Sequence, residues 1–214
     1  MDTLAGKGAE AGGSIGVKSV ITRFAGFTLL WLPVTFAVWY FSAPAHAELV
    51  GQFMQWLVNA TFPVKVPMVR KEAVLEFLLS VPASLSRRGG DGSIMATITL
   101  DILIYSCGIP LFLALMLATP GIKTRWQAVL GGLGVLLIYE VTALFVSACY
   151  NTLNMLHMIG ADTRWLFGLP WSPQLNLLAQ TTFALVLPSA LAVFLWAAFN
   201  EGFIRSQSSG LDSE

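Results

Sequence analysis

Few side chains in this chain have the chemistry of a nucleophile, a general base or a metal ligand. The thiols are Cys107 and Cys149, and the imidazoles are His46 and His157. A cysteine nucleophile needs a neighbouring base or cation to form its thiolate. The two histidines lie more than a hundred positions apart, and neither has a second ligand at helical spacing. We therefore expect no metal site and no cofactor.

Glu140 is the most informative ionisable residue, because it lies well inside an apolar stretch. An ionised carboxylate there costs at least about 3 kcal/mol on insertion scales, so Glu140 should face the interior of a helix bundle or be protonated. The segment 119–125 is a short basic hairpin between two apolar stretches. Counting residues from this hairpin along each stretch places Glu140 and Cys107 at the same depth in the membrane. The other polar residues that we expect in the interior or at its rim are Asp101, Tyr105, Ser147 and Gln180.

The overall composition is that of a membrane protein. Apolar residues make up 56% of the 214 residues and charged residues only 11%, whereas soluble domains average roughly 45–50% and about 25%. The 12 basic residues are balanced by 12 acidic ones, so there is no net positive field for nucleic acid. Membrane lipid is the expected surrounding, and nucleic acid is excluded as a partner.

The apolar runs predict four transmembrane helices in an all-α integral membrane protein. A helix of about 20 residues crosses the hydrocarbon core. We expect the spans at 21–42, 95–118, 126–150 and 175–199, with a long outer loop at 43–94 and tails at 1–20 and 201–214. The first tail is rich in glycine and poor in apolar residues, which predicts disorder.

The outer loop is predicted to carry an amphipathic helix. Its polar residues recur at steps of four, three and four, at Glu48, Gln52, Gln55 and Asn59. Such a helix either lies in the membrane surface or packs against the rest of the protein, and both interpretations stay open. The run 43–47 also contains an A-x-A triplet, so the sequence leaves open whether the first span is cleaved after Ala47.

The hairpin between the second and third spans carries Lys123 and Arg125 and no acidic residue. Basic residues concentrate in short cytoplasmic loops. With an even number of spans, both termini then lie in the cytoplasm, and we predict a multi-pass protein of the bacterial cytoplasmic (inner) membrane.

From Ser106 to Tyr150 the sequence resembles the exosortase and archaeosortase transpeptidases. The matching features are the cysteine in Ser106-Cys107-Gly108, the basic turn Lys123-Thr-Arg125 and the following apolar helix with Glu140. In that family an essential arginine stands in this next helix, and here it is missing. A carboxylate near Cys107 would not activate the thiol as a cation does. The whole chain is also similar to the exosortase H-associated membrane proteins.

The resemblance implies two functions that the sequence leaves open. The first is a non-enzymatic accessory protein of an exosortase-type carboxy-terminal sorting system, which binds an exosortase or the membrane segment of its substrate through small-residue helix faces. The second is an exosortase-like cysteine transpeptidase or protease, with Cys107 as nucleophile. His157 or Arg164 would reach back from the loop between the third and fourth spans to activate it. The missing arginine favours the first.

The predicted topology can be tested by labelling single cysteines in intact cells. A membrane-impermeant thiol reagent added from outside should label a cysteine placed at Gly90 and leave one placed at Ser209 unlabelled, because the outer loop is accessible and the carboxy-terminal tail is not. Labelling at Ser209 alone would overturn the predicted orientation.

Overall fold

A computed structural model of the chain describes residues 12–61, 68–71, 74–82, 93–120, 126–158, 178 and 180–208. In chain order the elements are helix α1 (Gly12–Thr61), strands β1 (Met68–Lys71), β2 (Val74–Pro82) and β3 (Ser93–Asp101), helices α2 (Ile102–Tyr105), α3 (Gly108–Ala118) and α4 (Trp126–Met158), a π-helix (Thr182–Val186), and helices α5 (Leu187–Phe199) and α6 (Glu201–Ser208).

In the described residues three helices are long and apolar enough to cross a membrane. They run over Thr22–Thr61, Trp126–Met155 and Thr182–Phe199. These ranges contain or overlap the first, third and fourth predicted spans, so the prediction of a helical membrane protein is confirmed at this level.

The second predicted span, 95–118, is wrong as a single helix. Its first residues belong to β3, and the chain then forms the short helix α2, a turn at Ser106 and Cys107, and the 11-residue helix α3. At 1.5 Å per residue α3 alone is about 16 Å long, roughly half of the hydrocarbon thickness. Hydropathy did not separate the strand from the helix, because both are apolar.

A three-stranded antiparallel sheet occupies part of the predicted outer loop, so the all-α fold class is also wrong there. The strand order is β1-β2-β3, and Leu75 pairs with Leu100 and Phe77 with Ile98. These four side chains share one face of the sheet and are buried in a core with residues of α1 and α4. One buried face stabilises an antiparallel sheet.

The predicted amphipathic helix exists, but it is the continuation of α1 and not a separate element of the loop. Pro33 and Pro44 lie inside a helix of 50 residues, which is about 75 Å long and exceeds the membrane core of about 30 Å more than twofold. The run 43–47 is helical throughout, and Ala43 and Ala47 are buried.

The extension of α1 beyond Ala47 has three distinct faces. Val50, Met54 and Val58 are buried against the sheet and α4. The polar residues of the predicted stripe form a second face, on which Gln52 donates to Glu48 and Gln55 donates to Asn59. The third face is apolar and exposed, and it consists of Leu49, Phe53 and Trp56.

Contacts at the two ends of the bundle give the helix directions. At one end Phe24 of α1 stacks on Trp196 of α5, with ring centroids 5.2 Å apart, and the Trp196 indole donates to Thr119 at the end of α3. Toward the other end Asn151 of α4 accepts a hydrogen bond from Gln180. Helices α1 and α4 therefore run in one direction, and α3 and α5 run in the other.

Two glycines allow the helices to approach closely. A Cβ atom at Gly108 of α3 would lie 2.5 Å from the backbone oxygen of Pro188, and one at Gly132 of α4 would lie 2.2 Å from the ring of Phe112. Phe112 is fully buried in a core between α3, α4 and α5. Small residues that admit a neighbouring backbone are typical of helix contacts in membranes.

Gly108→Ala should lower the free energy of unfolding by about 1–3 kcal/mol, because the added methyl meets backbone atoms that cannot move aside without shifting α5. Thermal denaturation of the purified protein in detergent measures this loss of stability. The matched control is Gly134→Ala on α4, where nothing lies within 4 Å, so that alanine should be neutral or slightly stabilising. Equal stability of the two variants would contradict this packing.

Candidate functional site

A histidine–glutamate pair links α1 to α4. The Nε2 atom of His46 lies 2.9 Å from Oε1 and 2.8 Å from Oε2 of Glu140. The Glu140 side chain is 1% exposed and that of His46 is 17% exposed. An imidazole nitrogen that donates to a buried carboxylate offsets part of the cost of removing that carboxylate from water.

The helical phase of α1 explains why His46 reaches this position. At 100° per residue, Ala43, Ala47 and Val50 lie on one face, and all three are buried. His46 falls within about 60° of that face, so its ring lies at the edge of the helix contact. The carboxylate of Glu140 comes from the buried face of α4, which also includes Leu136, Ala143 and Ser147.

The thiol of Cys107 lies close to the same pair. Cys107 occupies the turn between α2 and α3, and its Sγ atom donates to the carbonyl oxygen of Ala184 at 3.9 Å. The Ser189 hydroxyl is a further hydrogen-bond neighbour, and the Glu140 carboxylate is near enough to interact electrostatically with the thiol. Among the described residues, the charged group that interacts with the thiol is thus an acid.

The side chains of Cys107 and Tyr139 donate to backbone carbonyls in the irregular part of the last apolar helix. Pro188 has no N–H, so the carbonyl of Ala184 lacks its usual partner four residues later. In the π-helix the N–H of Leu187 bonds to Thr182, which leaves the carbonyl of Phe183 for the Tyr139 hydroxyl at 2.5 Å. Carbonyls released in this way need protein donors inside a membrane.

A polar network continues from this cluster toward the sheet. The Tyr105 hydroxyl donates to Ser147 at 2.7 Å, and the amide of Asn151 donates to the same oxygen at 3.4 Å. Gln180 then donates to the Asn151 side chain at 2.8 Å. Three of the expected interior residues, Tyr105, Ser147 and Gln180, therefore belong to one chain of hydrogen bonds that joins α2, α4 and the start of the last helix.

Asp101 has a different place from the one expected. It ends β3 and caps α2, where its carboxylate accepts a hydrogen bond from the backbone N–H of Leu103 at 2.9 Å. The span predicted at 95–118 would place Asp101 and Tyr105 on one helix, whereas the structure divides them between a strand and a helix. Asp101 stabilises the start of α2, as side-chain caps do.

His157, one of the two groups expected to activate Cys107 in the enzymatic interpretation, is not placed beside it. His157 is exposed in the last turn of α4, 17 residues beyond Glu140 and hence about 25 Å along the helix axis. Arg164 lies outside the described residues. The histidine that the structure joins to Glu140, the acid that interacts with Cys107, is His46.

The sequence analysis did not pair His46 with Glu140, because it placed His46 in the outer loop, beyond the first predicted span. In the structure α1 continues through that stretch as one helix and carries His46 to α4. The available signal was that a buried carboxylate needs a partner.

Among the described residues, no group of three or more His, Cys, Asp or Glu side chains is positioned to hold a metal ion. What the described side chains of this site show is a set of hydrogen bonds within the bundle.

Comparison with known protein families matches residues 18–203 to the exosortase H-associated membrane proteins. The chain belongs to this family. No curated protein and no solved structure matches it. The family description associates the chain with exosortase systems, as the resemblance in the sequence implied.

In this exosortase H-associated protein, replacing His46 by Leu should lower the free energy of unfolding by about 1–3 kcal/mol, because Glu140 is left buried without its hydrogen-bond partner. Adding Glu140→Leu should recover part of that loss, since the unpaired carboxylate is then removed as well. Thermal unfolding of the two single variants and the double variant in detergent measures the coupling.

The control for this pair is His157→Leu, which removes an exposed histidine from the end of α4 and should change stability little. Purely additive losses from the His46 and Glu140 substitutions would show that the two side chains do not depend on each other.

Proposed function

We propose that this chain is a non-enzymatic accessory membrane protein of an exosortase-type carboxy-terminal protein-sorting system. The observation that carries the proposal is the environment of Cys107, whose thiol donates to the Ala184 carbonyl and has the Glu140 carboxylate as its charged neighbour. The imidazole closest to this site is hydrogen-bonded to both oxygens of that carboxylate. These groups hold the thiol as a packing element, whereas a nucleophile needs a cation or a free base beside it.

The described arginines with defined side chains support the same interpretation. Arg23 is at the opposite end of α1 from His46, and Arg205 is on α6, where it pairs with Glu201. Neither guanidinium is at the level of Cys107. An accessory role requires no activated nucleophile, so it agrees with this distribution of charge.

The cysteine transpeptidase remains a second candidate because Cys107 is only half-buried and the Glu140 carboxylate that interacts with it is bonded to a histidine. In that alternative Cys107 is the nucleophile, His46 the base in place of His157, and Glu140 the group that orients the imidazole. It requires His46 to turn an imidazole nitrogen toward the thiol during the reaction.

For the partner surface we propose the exposed face of α4 that contains Gly131 and Gly134. Nothing lies within 4 Å of a Cβ atom at either glycine, and the neighbouring Val135 and Ile138 are exposed. The other small-residue face of α4, around Gly132, is already filled by Phe112. Two glycines one turn apart on an apolar helix admit a second membrane helix closely, and this helix would come from an exosortase or from its substrate.

We also propose four crossings with both termini in the cytoplasm of a bacterial inner membrane. Because α1 and α4 run in the same direction, the chain between them must return across the bundle, and α2 and α3 with the turn between them supply that return. The stacking of Phe24 on Trp196 supports a common side for the first and last membrane residues. The broken helix over 102–118 is about 25 Å long, close to the core thickness of about 30 Å.

Processing of an exosortase substrate in cells, measured at matched levels of this protein, tests the proposal. Cys107→Ser should leave processing nearly intact, because serine can also donate to the Ala184 carbonyl. Gly134→Leu should reduce both processing and co-purification of the partner by about tenfold, the effect of roughly 1.4 kcal/mol of lost binding, while the protein still accumulates.

Loss of processing in Cys107→Ser at full protein level would overturn the accessory role and make this chain a cysteine enzyme. Unchanged co-purification in Gly134→Leu would reject the proposed partner face. Gly108→Leu is not a suitable probe of function, because it would disturb the contact with Pro188 and hence the fold.

A further inference from the structure

A groove with a volume of about 480 Å³ opens at the end of the bundle opposite the His46–Glu140 pair. The apolar walls are formed by Phe27 and Trp31 of α1, Leu117 of α3 and Phe203 of α6. Among the described residues that line the groove, Arg23 is the one with a charge. This volume lies in the range of roughly 300–1,000 Å³ that is typical of sites for small ligands.

The position of the groove relative to the membrane follows from its neighbours. Arg23 stands at the beginning of the long apolar run of α1, and the Trp196 indole bonds to Thr119, which lines the same groove. Tryptophan and arginine at the ends of apolar helices mark the headgroup level. Trp31 lies eight residues further along α1, about 12 Å deeper, so the groove leads from the headgroups into the hydrocarbon.

The charge at the mouth of the groove has no partner within the described part of the protein. The Arg23 side chain is exposed, and no described carboxylate forms an ion pair with it. Glu201 on the adjacent α6 pairs with Arg205 instead. A guanidinium can bind two phosphate oxygens in a bidentate arrangement. The apolar walls of the groove below Arg23 can accommodate a hydrocarbon chain.

We propose that this groove binds one anionic phospholipid, with its phosphate on Arg23 and one acyl chain along Phe27 and Trp31. The ligand class follows from the cation at the mouth and the apolar walls beneath it, since neither a free phosphate nor a neutral hydrocarbon would use both. The site is independent of the sorting partner, because it lies on the end of the bundle away from Cys107 and on helices other than α4.

Thermal unfolding of the full-length protein in detergent, with added lipid, tests the proposal. Phosphatidylglycerol should raise the unfolding midpoint by about 3–6 °C relative to an equal amount of phosphatidylcholine. In Arg23→Gln the difference between the two lipids should fall below about 1 °C. Native mass spectrometry of the same samples should retain one phosphatidylglycerol on the wild-type protein and none on Arg23→Gln.

The matched control is Arg205→Gln, which removes an equal charge from the same end of the protein but not from the groove. It should keep the full preference for phosphatidylglycerol. Inorganic phosphate at the same concentration should give no shift, because it lacks the acyl chain.

Four results would overturn the proposal: equal stabilisation of the wild-type protein by both lipids, a preference that survives in Arg23→Gln, a preference that is lost equally in Arg205→Gln, or a full shift with inorganic phosphate. The third would show a general effect of charge, and the fourth would show an anion site that does not recognise lipid.

Discussion

The hydrogen bonds between His46 and Glu140 are the interaction on which the rest of the molecule depends. A carboxylate in the middle of a membrane helix is stable only with a partner, and the imidazole bonds to both of its oxygens. Because His46 lies far along α1, the pair sets where that long helix crosses α4. The extension of α1 then lies over the sheet, where Val50 and Met54 complete the core formed with Leu75 and Leu100.

A second constraint comes from the backbone of the last helix. The π-helix and Pro188 release the carbonyls of Phe183 and Ala184, and Tyr139 and Cys107 supply their donors. The glycine at position 108 lets α3 come close enough to Pro188 for this to happen. The cysteine that resembles an exosortase nucleophile is thereby held in the helix packing, which supports the proposed accessory role.

Much of this arrangement follows from the sequence, because it depends on hydropathy and on the cost of burying a charge. The three long apolar helices and the need of Glu140 for an interior position were accessible in this way, whereas the family came from a resemblance of the sequence. The strand β3 was not, since its alternation of Thr97, Ile98, Thr99 and Leu100 merges with the apolar run that follows. Nor was the role of His46, because this residue falls beyond the first predicted span and reaches Glu140 only through the continuation of α1.

The distance between the imidazole of His46 and the carboxyl group of Glu140 in a lipid bilayer tests this account most directly. The chain has two histidines, so His157→Gln leaves His46 as the sole imidazole for ¹⁵N labelling. Solid-state NMR of that variant with ¹³C-labelled glutamate should show dipolar coupling between the imidazole nitrogen and a glutamate carboxyl carbon, and Glu140→Gln should abolish it. Absence of that coupling in the variant that retains Glu140, or its persistence in Glu140→Gln, would contradict the pairing.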